Sequence, residues 1–227
     1  MEDKYWPLKD RINKQYKTSG SDNSGLNTYT YNEIGYRGDT VNKPVDILAV
    51  GCSHTEGIGV SDTETWPYFL SKELKFSHIN LGYTGRSNDY IARTVSLYVR
   101  QFRPKIVAVM YTYPSRCEYW TEYGPQPYTV HPWGYFADYP DKHRNLTELS
   151  TPESNRNNFI KNHLIVQLAC EAAGSKLVWN GSFLDLEYTD TKRFDGDYFI
   201  EGRHATAEEN KIYSNKLVGF LKDNSYL

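Results

Sequence analysis

A serine lies in a short glycine-flanked segment whose spacing suits nucleophilic chemistry. The segment reads Gly51-Cys52-Ser53-His54-Thr55-Glu56-Gly57 and follows a short apolar run. Glycines on both sides permit a tight turn from strand to helix, which would present the Ser53 hydroxyl near backbone N–H groups that can face an oxyanion. The segment lacks the lysine of a phosphate-binding loop, and Thr55 departs from the G-x-S-x-G nucleophile elbow. The alternative is a glycine-rich turn without chemistry.

A second candidate group, Glu201-Gly202-Arg203-His204, comes just before the last predicted helix. A carboxylate three residues before a histidine can bind one side of the imidazole, so that the other ring nitrogen faces outward as a general base. Acid-x-x-His also occurs often by chance, and the alternative is a surface loop beside a helix cap. Ser53 and His204 together would supply a nucleophile and its base.

Three blocks of the sequence, taken together, resemble those of the SGNH (GDSL-like) hydrolase family. The segment GCSHTEGIGV is similar to the family's first block, which usually reads Gly-Asp-Ser followed by Thr and Gly. Residues 80–87 resemble the second block, and residues 201–204 stand where the family has Asp-x-x-His. The resemblance runs from about Gly35 to Leu217. It implies a flavodoxin-like, three-layer α/β/α fold with a parallel sheet of about five strands.

The resemblance also implies roles for individual residues. Ser53 would be the nucleophile, His204 the general base, and Glu201 the acid that orients the base. The N–H groups of Ser53 and Gly85 would bind the oxyanion. No metal or organic cofactor is implied. The sequence departs from the family at Cys52 and Glu201, where aspartate is usual, and the longer Glu201 can alter the geometry of the histidine.

The third block lacks the asparagine that serves the family as an oxyanion donor. The segment 112–116, after the middle strand, contains no Asn. Asn88 is the candidate replacement, because it lies in the first turn of the helix after Gly85, and a helix N-terminus favours an anion. Thr112 and Tyr113 are the rival donors, since they lie nearest to the family's position. The alternative for Asn88 is that it only helps to cap its own helix.

Other side chains in the sequence suit a substrate cleft. Arg116 could hold an anionic group of a substrate, or it could simply pair with Glu118. Tyr113 begins an aromatic segment that suits either sugar stacking or the packing of an inserted flap. His54 is expected to point to the opposite side of the turn from Ser53. The remaining histidines show no metal-ligand spacing, so no metal site is predicted.

Alternating strand and helix patterns predict the scaffold that must position these residues. Apolar runs predict strands at 45–50, 78–81, 106–111 and 176–179. Helical spacing predicts helices that begin near the capping signals Ser61–Glu64, Ser87, Ser150–Glu153 and Thr206–Glu209. This alternation indicates a parallel sheet that is covered on both faces, with functional groups at the carboxyl ends of its strands.

The chain is predicted to divide into an arm and one larger domain. Residues 1–43 are polar and are interpreted as an irregular N-terminal arm. Residues 44–227 would form the SGNH hydrolase-like domain. Within it, an aromatic and Pro-rich segment at about 114–151 shows no period and is interpreted as an insertion.

Composition argues against several other classes of protein. The 227 residues include 26 basic and 28 acidic side chains, and the net charge of -2 argues against nucleic-acid binding. No apolar run approaches the roughly 20 residues that span a bilayer, and the first residues show no signal-peptide pattern. We therefore expect no membrane partner and a cytoplasmic location. The three widely spaced cysteines favour a reducing compartment over a disulfide framework.

These features predict a serine esterase that hydrolyses a small or carbohydrate-linked ester, with O-acetylated carbohydrate suggested by the resemblance. Two alternatives remain open. A non-catalytic binding or structural module on the same fold is favoured by the missing asparagine, whereas the retained Ser53 and His204 argue against it. An acyltransferase would use the same residues with an alcohol acceptor in place of water. The pattern gives no oligomeric state.

Overall fold

A parallel four-stranded sheet forms the centre of the molecule. The computed structural model describes residues 9–19, 26–39, 44–121, 124–129, 150–181, 193–195 and 203–227. The central strands are β3 (Ile47–Gly51), β4 (His78–Asn80), β5 (Ile106–Met110) and β8 (Lys176–Asn180). Their order is β4-β3-β5-β8, and all neighbours are parallel. The predicted α/β fold is thus confirmed, with four strands in the described residues where about five were expected.

Helices cover both faces of this sheet. They are α1 (Ser53–Glu56), α2 (Trp66–Leu74), α3 (Asn88–Phe102), α4 (Pro152–Ala173) and α5 (Ala207–Asp223). Side chains of β3 alternate between two cores, because successive residues of a strand face opposite sides. Ile47 and Ala49 pack with α2 and α5, whereas Leu48 and Val50 pack with α3 and α4. The predicted three layers are therefore present.

Local capping signals set most helix starts. Thr206 and Glu209 form the predicted capping box of α5, and Ser87 caps α3 as expected. The box predicted from Ser150 is wrong, because the side chain of Thr151 accepts the Ser154 N–H and caps α4 instead. Within the described part of the chain, no helix is long and apolar enough to cross a membrane.

Two antiparallel hairpins lie outside the central sheet. β1 (Gln15–Ser19) pairs with β2 (Leu26–Thr30), within the segment that was expected to be irregular. β6 (Arg116–Thr121) pairs with β7 (Gly124–Thr129), within the segment that showed no period. Both segments therefore contain regular structure that the pattern did not predict. The boundary at residue 43 and the division into arm and domain stay predictions.

Candidate active site

Ser53 is the first residue of α1, directly beyond the carboxyl end of β3. The turn requires a glycine at position 51, because a Cβ there would lie 2.1 Å from Thr55 Oγ1 and 2.9 Å from the Met110 carbonyl oxygen. Ser53 is 8% exposed, so a small part of it reaches the surface. Its hydroxyl lies 3.9 Å from Cys52 Sγ. The sequence thus folds into the predicted strand-to-helix turn.

The backbone N–H groups of Ser53 and Gly85, near this turn, have no acceptor in the described parts of the chain. The Gly85 loop contacts α1 closely, since a Cβ on Gly82 would lie 2.2 Å from the backbone nitrogen of Glu56. Gly85 itself has a left-handed φ of 73° and open space where a Cβ would point. These are the two backbone donors that the resemblance implies, and the structure leaves both available.

His204 lies beside α1, although it comes from the other end of the domain. Its ring centroid is 5.0 Å from that of His54, the residue after Ser53. Its backbone is fixed, because Arg203 donates to the His204 carbonyl at 3.1 Å and binds both carboxylate oxygens of Glu209 at 2.8 Å. In the residues that the structure describes, no hydrogen bond joins Ser53 to His204.

His54 lies against His204, and its expected direction, to the opposite side of the turn from Ser53, stays a prediction. Its ring packs against His204 with an interplanar angle of 46°. Burial lowers the pKa of His54 to about 4, and the positive charges of His204 and Arg116 act in the same direction. Burial also lowers the pKa of His204, while the Glu56 carboxylate opposes this shift and Arg116 adds to it. Both imidazoles are therefore neutral at neutral pH.

Glu201, the predicted acid, lies outside the described residues, so its position beside His204 stays a prediction. The structure instead reveals a buried carboxylate that the sequence did not single out, Glu56, which is 1% exposed. Glu56 Oε1 accepts from Arg11 and Tyr31 at 2.8 Å each, and Oε2 accepts the Thr84 N–H at 2.6 Å. Thr84 precedes Gly85, so Glu56 holds the loop that carries Gly85 against α1.

The Asn88 amide is bound to the main chain at the end of β5. Its Nδ2 donates to the Thr112 carbonyl at 3.1 Å, and its Oδ1 accepts the Thr112 N–H at 3.0 Å. Ser87, not Asn88, caps the helix, because its hydroxyl accepts the Tyr90 N–H. Asn88 is 1% exposed and offers almost no surface to a ligand. This role as a clamp on Thr112 was neither of the two we considered, and a donor role for Asn88 stays untested.

Arg116 extends from the start of β6 toward this clamp. Its Nη1 donates to Thr112 Oγ1 at 2.9 Å, and its guanidinium lies 5.2 Å from the centroid of the Tyr113 ring. The predicted alternative pairing with Glu118 is wrong, because Arg93 Nη2 binds both carboxylate oxygens of Glu118 at 3.0 Å. Arg116 is near enough to both site histidines to lower the pKa of each. The assignment of Arg116 and Tyr113 to substrate binding stays a prediction.

The other histidines lie apart from this group or outside the described residues. His163 is buried, and its Nδ1 lies 3.1 Å from the Tyr111 hydroxyl, so it is locally bonded as expected. His131 and His143 fall in the segment 130–149, which is not described. Among the described residues, no three His, Cys, Asp or Glu side chains gather as metal ligands would.

Comparison of this structure with solved structures finds similar folds, two of them named as esterases. TesA is 12% identical with a TM-score of 0.50, over 80% of this chain and 99% of that one. The acetyl xylan esterase Est2A from the rumen bacterium Butyrivibrio proteoclasticus is 10% identical with a TM-score of 0.52, over 84% and 67% of the two chains. A carbohydrate esterase described as having divergent catalytic and non-catalytic binding functions is 11% identical, with a TM-score of 0.50, over 84% and 69%.

These similarities identify the architecture. The chain has the fold of the SGNH, or GDSL-like, hydrolases, which confirms the resemblance that its sequence blocks predicted. Neither models of known protein families nor curated protein sequences match the chain. At 10–12% identity the solved structures establish the fold, so the chemistry rests on the residues of the site.

Proposed function

We propose that this protein is a serine ester hydrolase with Ser53 as nucleophile, His204 as general base and Glu201 as the acid that orients His204. The observation that supports the proposal is that the His204 ring lies 5.0 Å from the ring of His54, the residue that follows Ser53 in α1. Catalysis of this kind also needs preorganised hydrogen-bond donors that stabilise the oxyanion of the transition state. The N–H groups of Ser53 and Gly85, which have no acceptor in the described residues, would be these donors.

The reaction follows the two-step scheme of acyl transfer. Ser53 Oγ bonds to the ester carbonyl carbon while its proton passes to His204, and the carbonyl π electrons move to the oxygen. The tetrahedral intermediate then collapses, the bond to the alcohol oxygen breaks, and His204 returns the proton to the leaving alcohol. Water attacks the acyl-enzyme in the same way, with His204 as base, and releases the acid and Ser53.

The protonation state of His204 suits this role. A general base must be neutral before the reaction, and burial lowers the pKa of His204 below its ordinary value. The Ser53 hydroxyl lies near Cys52 Sγ, so it must rotate toward His204 to react. Catalytic hydrogen bonds are often long or absent without substrate and tighten in the complex, which accommodates this geometry.

The substrate we propose is a small or carbohydrate-linked ester, with O-acetyl carbohydrate as the leading class. Two of the similar structures are named as carbohydrate esterases, one of them an acetyl xylan esterase, and this is analogy of fold. Tyr113, whose ring lies 5.2 Å from the Arg116 guanidinium, is an aromatic side chain of the kind that sugars stack on. An acyltransferase would use the same residues with an alcohol in place of water, and product analysis with a sugar acceptor separates the two.

The test compares wild type with Ser53→Ala on p-nitrophenyl acetate and on acetylated xylan, with a fluorophosphonate probe in parallel. We expect turnover and labelling at Ser53 in wild type and neither in the variant. Labelling that survives Ser53→Ala contradicts the assignment. The lack of a Ser53–His204 hydrogen bond in the described residues favours a second candidate, a carbohydrate-binding module without turnover. Binding of acetylated xylan without hydrolysis by wild type would support that candidate.

A further inference from the structure

The strand register shows where an oxyanion donor from the third block would lie relative to Ser53. In the register of β3 and β5, Gly51 lies opposite Met110. Ser53 and Thr112 each follow two residues later, so they lie at the same edge of two adjacent strands. The third family donor would come from this end of β5, where Thr112 and Tyr113 stand. A replacement donor must therefore approach the site over Thr112.

Arg116 is a side chain that does so. Its Nη1 donates to Thr112 Oγ1 at 2.9 Å, so the guanidinium is anchored beside the end of β5. Its Nε is buried and has no hydrogen-bond partner in the described residues. The Thr112 anchor is itself rigid, because Asn88 binds both its N–H and its carbonyl. Asn88, Thr112 and Arg116 thus form a chain of polar contacts that anchors the guanidinium at the end of β5.

The charge of Arg116 also has no carboxylate partner among the described residues. Across the described ranges, no carboxylate forms an ion pair with it, because the neighbouring Glu118 is bound by Arg93. The nearby titratable groups of the site are the two histidines, and the positive charge of Arg116 lowers the pKa of both. A partly buried cation without a counter-ion favours a negative charge that arises next to it.

We propose that the Arg116 guanidinium is the third donor of the oxyanion hole, in place of the asparagine that the family carries on its third block. This inference rests on the proposed hydrolase function. Because no described carboxylate pairs with Arg116, the arginine charge is compensated when the carbonyl oxygen becomes an anion. Such an interaction is stronger in the transition state than with substrate, so it raises kcat. A charge-assisted hydrogen bond is also stronger than the neutral amide bond it replaces.

The test uses p-nitrophenyl acetate, a neutral ester, so that a role in holding an anionic group of the substrate cannot affect the result. We expect Arg116→Ala to lower kcat by about 10²–10³-fold, the usual cost of one oxyanion donor, with little change in KM. Arg116→Lys retains the charge without the planar fork and should recover part of the loss. Arg100→Ala, on the exposed side of α3, is the matched control and should leave kcat unchanged.

Two further readouts separate catalysis from structure. Removing the Arg116 charge should shift the pH midpoint of kcat/KM upward, because that charge lowers the pKa of His204. Phenylboronic acid, which forms a tetrahedral anion on a serine hydroxyl, should bind about 10²–10³-fold more weakly to Arg116→Ala. Melting temperatures of each variant check that the fold is intact.

The possible failures are distinguishable. If wild type hydrolyses no ester, or if Ser53→Ala leaves hydrolysis and boronate binding intact, the proposed Ser53 mechanism is wrong, and the Arg116 role is wrong with it. If Ser53→Ala abolishes both while folded Arg116→Ala keeps kcat within about tenfold on the neutral ester, the Arg116 role alone is overturned. A loss confined to anionic esters would also overturn it, in favour of substrate-anion binding.

Discussion

Replacement of Asn88 by alanine tests whether this amide is a structural clamp or an oxyanion donor. The substitution removes the hydrogen bonds to the Thr112 N–H and carbonyl, which measure 3.0 and 3.1 Å. Both residues are nearly inaccessible, with Asn88 at 1% and Thr112 at 2% exposed. Water therefore has little access to the two main-chain groups that lose their partner.

The expected loss of stability follows from those two groups. A buried donor or acceptor left unsatisfied costs about 1–3 kcal/mol, so Asn88→Ala should lower the free energy of unfolding by about 2–6 kcal/mol. Whole domains are stable by only about 5–15 kcal/mol, so the effect is large. Asn157→Ala, at an exposed position of α4, is the matched control. It should change stability by no more than about 0.5 kcal/mol.

The assay is equilibrium unfolding in urea, followed by circular dichroism, together with kcat on p-nitrophenyl acetate at a temperature where both variants are folded. The clamp role predicts a large fall in the unfolding midpoint, and any loss of kcat should follow from displacement of Thr112. The clamp role of Asn88 is refuted if Asn88→Ala changes the free energy of unfolding by less than about 0.5 kcal/mol while kcat falls by about 10²–10³-fold. That pattern would make Asn88 the donor.

Three further predictions concern pH and backbone packing. The kcat/KM for ester hydrolysis should rise with pH to a plateau, with a midpoint below about 6.5, because burial lowers the pKa of His204; a pH–rate profile checks this. The folded protein should lose stability as pH falls from about 6.5 to 4, because His54 is protonated more readily in the unfolded chain than in the folded one. The denaturation midpoint of His54→Gln should therefore depend less on pH in this range than that of wild type. Gly82→Ala should destabilise the folded protein by about 1–3 kcal/mol, because the new Cβ would lie 2.2 Å from the Glu56 backbone nitrogen. Gly219→Ala, in α5 with open space around the position, should instead stabilise it by about 0.5–1 kcal/mol, and thermal unfolding measures both.

The elements that the sequence predicted well are those with strong local signals. The apolar runs of β3 and β5 and the caps at Ser87 and Thr206 depend on neighbouring residues alone. The same is true of the Ser53 turn, whose glycines determine the path of the backbone. The hairpin of β6 and β7 gave no such signal, because its polar and aromatic residues lack a clear alternation. Its pairing depends on contacts between the two strands, which neither strand's own sequence reveals.

The side-chain partners of the site were harder to predict, because they lie far apart in sequence. Asn88 binds Thr112, and Arg93 takes the Glu118 partner that sequence proximity assigned to Arg116. These choices depend on the positions of α3 and β6, which no local pattern gives. The contact between His54 and His204 could not be predicted from the sequence for the same reason, since it depends on where the His204 loop lies.

The buried carboxylate of Glu56 connects the loop that carries Gly85 to the N-terminal segment. One of its oxygens binds Arg11 and Tyr31 from that segment, and the other binds the Thr84 N–H. A buried charge that loses a partner is costly, so neither side can move without weakening the other. The guanidinium of Arg11 also lies 4.3 Å from the centroid of the Tyr83 ring, in the same loop. The segment that its composition marked as an arm is therefore part of what positions Gly85, and the donor geometry of the site depends on residues far outside the three sequence blocks.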